Sequence, residues 1–284
     1  MRKFLWAAAK SLEAADYVVF GVPDESASFA RRRGVARAPD AIRAASNERD
    51  AVAGVGGPSF LTTGAPLEPA RIFDAGNIPK TRAADFVAAL VEKKKKFILL
   101  GGDHSISFEA LKGASAVKRL SFVYLDAHPD FICSRGHYYG SVVCDAAGLA
   151  HLRLHSSVEI GVRAPEPEEL ANLRRARVKT FPALAVQRFG IGRVLAKALE
   201  LVSGPVYLSI DFDVLDPAFA PGVSTPAPGG ISALELFKAV HDFAQHRVLG
   251  IDLMEVCPPF DFQQHTSHIA ARAAMEWISL LEAW

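Results

Sequence analysis

The hydrophobic positions of the chain fall into short extended runs that alternate with longer segments of helical spacing. Apolar, β-branched and aromatic residues dominate eight runs whose lengths are typical of buried strands. The predicted strands are 17–22, 71–74, 96–100, 121–126, 157–162, 179–181, 206–211 and 248–253. Segments with helical length and apolar spacing lie between them at 83–95, 166–176, 190–202 and 232–246. Strands that alternate with helices predict an α/β fold, with a mostly parallel sheet of about eight strands between two helical layers.

One helix boundary is marked by its own polar residues. Ser232 follows the Gly229-Gly230 pair and is followed three residues later by Glu235, which is typical of a capping box. The last predicted helix should therefore begin at Ser232.

Acid and imidazole side chains gather at or near the ends of four predicted strands. The stretches are Gly101-Gly-Asp-His104, Asp126-Ala-His-Pro-Asp130, Ser209-Ile-Asp-Phe-Asp213 and Asp252-Leu-Met-Glu255. Side chains alternate faces along an extended segment, so Asp126, His128 and Asp130 should point the same way. Burial of a charged carboxylate is energetically unfavourable unless the carboxylate is paired or binds a cation. These stretches therefore predict a centre for two divalent metal ions.

The ligand types restrict the metal. The candidate ligands are His104, Asp126, His128, Asp130, Asp211 and Asp213. Four carboxylates and two imidazoles without a thiolate favour two Mn²⁺ ions over a structural zinc site, while nickel, cobalt and iron remain alternatives. Two cations that share a water lower its pKa and create a hydroxide nucleophile near neutral pH.

The same stretches, with several others, resemble a known family. The additional matching segments are 21–23, 34–43, 160–163, 211–217, 220–222 and 225–230. In this combination the chain resembles the ureohydrolases, the binuclear manganese enzymes that include arginase, agmatinase and formimidoylglutamase. Because the resemblance extends over nearly the whole chain, it implies one arginase-like catalytic domain at residues 1–284.

The resemblance also implies roles for individual residues. Asp126 and Asp211 would bridge both ions, His104 and Asp130 would complete one site, and His128 and Asp213 would complete the other. Asp130 would carry a proton to the departing amine, and Glu255 would bind the guanidinium group of the substrate. His137 would match the proton-shuttling, substrate-binding histidine of the family, although His137-Tyr-Tyr-Gly-Ser departs from the usual sequence that follows it.

The loop after the second ligand stretch bears on the substrate. The Asn-bearing loop with which arginases hold the α-carboxylate and α-amine of arginine is not recognisable between Phe131 and Val143. Pro258-Pro-Phe-Asp261 and the Thr225-Pro turn resemble the agmatinase branch, which favours agmatine, hydrolysed to putrescine and urea for polyamine biosynthesis. Arg135 offers an alternative, since it would suit the carboxylate of guanidinobutyrate, guanidinopropionate or formimidoylglutamate.

Composition excludes several other classes of partner. The 32 basic and 31 acidic residues give a formal net charge of +1, which indicates neither nucleic-acid nor membrane binding. An apolar stretch near Met1 is interrupted by Lys10 and Glu13, so we expect a first amphipathic helix and a cytoplasmic protein. Relatives in the family commonly form trimers or hexamers, and a homo-oligomer is expected on that basis.

The three cysteines are predicted to be inert thiols. Cys133, Cys144 and Cys257 are too few and too widely spaced for a disulfide framework or a tetrahedral zinc motif.

Two other functional classes remain as alternatives, a metal-dependent amide deacetylase of the same fold and a non-catalytic family member. Two bound ions per chain would count against the deacetylase, because deacetylases of this fold use one zinc ion.

Overall fold

The structure is a computed structural model that describes residues 2–48 and 71–282. Its centre is a sheet of eight strands that are all parallel to their neighbours. The strands are β1 (Tyr17–Gly21), β2 (Ile72–Asn77), β3 (Lys96–Leu100), β4 (Ser121–Leu125), β5 (Val158–Ile160), β6 (Lys179–Phe181), β7 (Val206–Asp211) and β8 (Val248–Met254). All eight predicted strands are present, which confirms the predicted α/β architecture.

Nine α-helices lie in the described ranges. They are α1 (Ala38–Ser46), α2 (Ala83–Glu92), α3 (Ile106–Val117), α4 (Val142–Ala147), α5 (Pro167–Ala176), α6 (Ala183–Phe189), α7 (Ile191–Leu201), α8 (Ala233–Ala244) and α9 (His265–Glu282). The predicted helices at 83–95, 166–176, 190–202 and 232–246 correspond to α2, α5, α7 and α8. The amphipathic helix expected near the start of the chain is wrong, because residues 2–16 form turns and bends without a helix. Ser232 caps α8 as predicted, since its Oγ accepts the Glu235 amide while the Glu235 carboxylate accepts the Ser232 amide.

Alternating side chains of the strands produce two hydrophobic layers. On β3, Ile98 and Leu100 pack in the layer that contains α1, α6, α7, α8 and α9. Phe97 and Leu99 pack in the opposite layer, with α2, α3, α4 and α5. The sheet is therefore covered on both faces, as a parallel sheet requires, and the three-layer sandwich is confirmed. None of the helices in the described ranges has the length and hydropathy needed to cross a bilayer.

The order of the strands positions the chemistry. The sheet runs β2-β1-β3-β8-β7-β4-β5-β6, so the four strands that carry the acid and imidazole stretches are neighbours at its centre. Parallel strands present their carboxyl ends at one edge, where ligands of open α/β sheets bind. Stretches that are far apart in sequence consequently meet at a single edge of the sheet.

Candidate metal centre

Each ligand stretch leaves its strand at the same edge of the sheet. Asp126 directly follows β4, Asp211 is the last residue of β7, and His104 lies four residues beyond β3. The turn before His104 needs its glycines, because a Cβ at Gly102 would lie 1.8 Å from the carbonyl oxygen of Asp24. Tight packing of this turn brings the His104 imidazole over the ends of the neighbouring strands.

The first ligand group surrounds His104. Its Nδ1 lies 3.1 Å from Oδ2 of Asp126, 3.0 Å from Oδ2 of Asp211 and 3.4 Å from Oδ2 of Asp130. All four residues are buried. His104, Asp126 and Asp130 each direct one ligand atom at a common point, with the atoms within 4.8 Å of one another.

The second ligand group surrounds His128. Its Nδ1 lies 3.0 Å from Oδ2 of Asp213 and 3.5 Å from Oδ1 of Asp126. Asp126 therefore belongs to both groups, one oxygen to each. Asp211 links them differently, because its Oδ2 faces His104 while its Oδ1 accepts the backbone N–H of Asp213. The structure thus places all six predicted ligands in one cluster.

The protonation of His104 shows that the first group fits a cation. Its Nε2 is 2.9 Å from Ser209 Oγ, whose own hydroxyl donates to Asp252. Because Ser209 donates its proton to Asp252, the His104 Nε2–H is the donor to Ser209, so the neutral imidazole would offer its Nδ1 lone pair to a metal ion. Among the described residues, His104 Nδ1 and Asp126 Oδ2 are buried without a hydrogen-bond partner. A divalent cation satisfies both atoms.

The electrostatics of the cluster lead to the same conclusion. Burial raises the pKa of Asp130 and Asp211, and Asp126 raises both further. Burial alone would lower the pKa of His104, but the Asp126 and Asp211 carboxylates raise it well above its usual value. The cluster therefore retains protons wherever no metal compensates its negative charge. Four carboxylates with two imidazoles suit Mn²⁺ or a similar divalent ion.

Neighbouring side chains hold the ligands in place. The hydroxyl of Tyr124 donates to Oδ2 of Asp130 at 2.7 Å, and the Tyr124 ring stacks on the His104 ring with centroids 4.6 Å apart. Thr225 donates to Oδ2 of Asp213. The Arg163 guanidinium donates to the backbone carbonyl of Asp213. It also donates to the carbonyls of Gly161, Val214, Leu215, Ala227 and Pro228. These contacts fix the carboxylates before any ion binds.

Glu255 lies beside the metal cluster. Its side chain is buried, Oε1 accepts the His104 N–H at 2.8 Å, and Oε2 accepts the Ser224 hydroxyl. Burial raises the pKa of Glu255 to about 7, although the bonds from Ser224 and His104 oppose the rise. Glu255 and Asp130 both have left-handed backbones, with φ of 66° and 49°, a strained conformation that is concentrated at functional sites.

His137 is not brought to this cluster. Its side chain is 83% exposed, and its nearest acidic partner is Asp145, 3.8 Å from Nδ1. Its ring lies against Phe108 of α3, with centroids 6.3 Å apart. The position predicted for a shuttle in contact with substrate is therefore not the one that His137 occupies.

A cavity of about 290 Å³ opens directly onto the metal cluster. Its lining residues are His128, Asp130, Ile132, Tyr138, Tyr139, Gly140, Ala164, Glu166, Glu169 and Thr225. Depressions of about 430 and 450 Å³ lie elsewhere on the described surface and contain none of the proposed ligands. Tyr138, Tyr139, Glu166 and Glu169 were not predicted as site residues, because their positions beside the ligands follow from the folded loop and the start of α5 and not from a local motif.

The loop beside this cavity is closed by a disulfide. Cys133 and Cys144 are bonded, with their Cα atoms 5.5 Å apart, so the prediction of inert thiols is wrong for this pair. Their spacing of 11 residues gave no signal, because the loop returns to the start of α4 only in the folded chain. Cys257 is a buried free thiol, as predicted.

Comparison with known proteins agrees with the fold. Residues 15–279 match the family model described as the arginase family. The chain belongs to the arginase family. This membership confirms the predicted ureohydrolase resemblance, and it argues against the deacetylase alternative.

Individual relatives in the arginase family cover nearly the whole chain. Proclavaminate amidinohydrolase of Streptomyces clavuligerus is 32% identical over 92% of this chain and 86% of its own. N(1)-aminopropylagmatine ureohydrolase of Thermus thermophilus is 32% identical over 94% and 91%. The crystal structure of agmatine ureohydrolase of Thermoplasma volcanium superposes with a TM-score of 0.85 and 28% identity, covering 100% of this chain and 95% of that one.

Proposed function

We propose that the protein is a binuclear metal-dependent hydrolase of guanidino compounds and that its substrate is agmatine, which it converts with water to putrescine and urea. The observation that carries this proposal is the pair of ligand groups that share Asp126 beside the buried carboxylate of Glu255. His104, Asp126, Asp130 and Asp211 would hold one ion, and Asp126, His128, Asp211 and Asp213 the other. Two bound divalent ions, Mn²⁺ in our proposal, would supply a nucleophilic hydroxide and offset developing negative charge.

Side chains of the protein account for the remaining steps. The Glu255 carboxylate pairs with the guanidinium and orients its carbon toward the ligand cluster. Attack at that carbon forms a C–O bond, and the C–N bond to the tail then breaks. The departing nitrogen needs a proton to leave as an amine. Asp130, which lies in both the cavity and the cluster, takes the proton of the added hydroxyl group and passes it to that nitrogen, which leaves urea as the second product.

The charge of the cavity supports a cationic tail. Glu166 and Glu169 line it, and among the residues that line it His128 is the only basic one. Arg135 lies instead over the rings of Phe29 and Tyr138, 4.0 and 5.6 Å from their centroids. Acidic and aromatic walls favour the ammonium group of agmatine over the carboxylate of guanidinobutyrate or guanidinopropionate. The relatives named for agmatine derivatives are in keeping with this choice.

The test is urea release by the manganese-loaded protein from agmatine, N(1)-aminopropylagmatine, arginine, guanidinobutyrate, guanidinopropionate and an uncharged alkylguanidine. We expect the highest kcat/KM with an amine tail. Glu166→Gln should raise KM for agmatine and leave KM for the alkylguanidine unchanged. The matched variant Arg135→Gln should not weaken agmatine turnover. If the wild type had its highest kcat/KM with a carboxylate-tailed compound, and Arg135→Gln lost that preference, agmatine would be rejected in favour of an acidic-tailed substrate.

We also propose that the chain forms one catalytic domain, acts in the cytoplasm and assembles as a trimer or hexamer. The single sheet that carries all the ligand stretches supports the one-domain proposal. Light scattering of the purified protein tests the assembly state, and a monomer would reject it.

A further inference from the structure

The loop between Cys133 and α4 places a different side chain where His137 was expected. Tyr139 lines the cavity together with His128 and Asp130. Among the described residues, its hydroxyl has no hydrogen-bond partner, although half of the side chain is buried. A polar group that lines the cavity and has no partner within the described chain is available to a ligand.

The electrostatics of Tyr139 reflect the two groups that would act on the substrate. Burial raises the pKa of its phenol, and the carboxylates of Glu255 and Asp130 raise it further. Glu255 is the proposed partner of the guanidinium, and Asp130 is the proposed proton carrier. Because Tyr139 and Asp130 line the same cavity, a substrate held by Glu255 at the ligand cluster would reach the cavity wall that Tyr139 forms.

The loop is built to hold Tyr139 in this position. The Tyr139 amide donates to the Ala27 carbonyl, and its ring packs edge-on against Tyr138 with centroids 5.5 Å apart. Phe29 flanks the same ring, with centroids 6.5 Å apart. The next residue, Gly140, leaves room for the Tyr138 ring, since a Cβ there would lie 2.9 Å from it. The disulfide, the aromatic contacts and this glycine together restrict where the phenol can go.

We propose that Tyr139 is a catalytic residue that contacts the guanidino group and donates a hydrogen bond from its phenol to the departing nitrogen. This inference rests on the proposed function and replaces the role predicted for His137. The nitrogen gains a lone pair when the guanidinium carbon becomes tetrahedral, so it can then accept a hydrogen bond. Tyr139 keeps its proton throughout, and the proton that ends on the amine comes from Asp130.

The test compares Tyr139→Phe with His137→Ala in the manganese-loaded protein, with urea release from agmatine as the assay. Tyr139→Phe should lower kcat roughly 10- to 100-fold, as expected for one hydrogen bond made mainly in the transition state. Its KM and its two bound ions per chain should be unchanged. Tyr139→His restores a ring N–H at the same place and should recover part of the lost kcat.

The outcomes separate this inference from the proposed function. Wild-type kcat in Tyr139→Phe, or a loss of kcat in His137→Ala alone, would overturn the role of Tyr139 and leave the proposed function intact. If Tyr139→Phe lost its metal, Tyr139 would be a structural support of the cluster, and the inference would again be overturned. Failure of the wild-type protein to release urea from every guanidino compound would overturn both.

Discussion

At the scale of single residues, the two ligand groups depend on Asp126. Its Oδ2 faces His104 and its Oδ1 faces His128, so that Asp126 supplies one oxygen to each group. The residues around it are ordered by hydrogen bonds that do not require a metal, such as that from Tyr124 to Asp130. Loss of one carboxylate should therefore affect metal binding far more than folding.

Asp126→Asn should remove bound metal and activity together. An amide keeps the size of the side chain but lacks the charge that two cations require, so we expect fewer than two ions per chain and a loss of kcat of at least about 10³-fold. Metal analysis and urea release measure the two effects. Asp85→Asn, at an exposed position on α2, is the matched control and should behave as wild type. Full turnover in Asp126→Asn would defeat the proposed mechanism.

Glu255→Gln should act on the substrate and not on the metals. The amide cannot pair with a guanidinium as a carboxylate does, and a charge-assisted pair at a buried site contributes about 2–3 kcal/mol. We therefore expect kcat/KM for agmatine to fall roughly 100-fold, with two ions still bound. A variant with normal kcat/KM would show that another group binds the guanidinium.

At the scale of structural elements, the sequence predicted the strands and helix boundaries that depend on neighbouring residues alone. Short runs of apolar, β-branched and aromatic residues identified all eight strands, and the residues at Ser232 and Glu235 identified the start of α8. The predicted helix 83–95 ends at Glu92 instead, because Lys94 has a left-handed backbone with φ of 57° and Lys95 donates to the carbonyls of Glu13 and Ala15. Those carbonyls are distant in sequence, so the local pattern could not reveal the contact.

The loop 131–141 shows the same limit at the site. Its conformation depends on a disulfide to Cys144 and on packing against Phe29, and both contacts exist only in the folded chain. Family motifs therefore identified the metal cluster, where short segments follow strands, but the His137 that they singled out is exposed, and Tyr139 lines the cavity. Motif position is a reliable guide only where the backbone between the matched residues is fixed by regular structure.

Removal of the disulfide should loosen this loop. In the double variant Cys133→Ser with Cys144→Ser, we expect a free energy of unfolding lower by up to about 3 kcal/mol, from the entropy of the opened loop. KM for agmatine should rise several-fold while the ions remain bound. Wild type treated with a thiol reductant should match the double variant, and the reductant should not affect the double variant. An unchanged KM would mean that the aromatic contacts alone position the cavity wall.

At the scale of the whole molecule, the central strands bring together charges that only a cation can balance fully. Without metal, the folded chain must retain protons on groups that the unfolded chain would release. The folded state therefore depends on pH in a way that reports on the site.

The stability of the metal-free protein should fall as pH rises from about 4.5 to 7. In this window Glu255, with its pKa raised from 4.5 to about 7 by burial, holds a proton in the folded state that it loses on unfolding. The folded state then binds more protons, so its free energy of unfolding decreases with pH. Glu255→Gln removes this contribution and should show a weaker decrease in Tm across the same window. If Tm decreased equally with pH in the wild type and in Glu255→Gln, Glu255 would not be the buried group that holds a proton in the folded state.

The most direct test of the binuclear ureohydrolase assignment is a titration of the metal-free protein with Mn²⁺, in which urea and putrescine released from agmatine are measured at each addition. The structure predicts that activity rises to a plateau at two ions per chain, with urea and putrescine formed in equal amounts. A plateau at one ion, or two bound ions without urea from agmatine or any other guanidino compound, would contradict it.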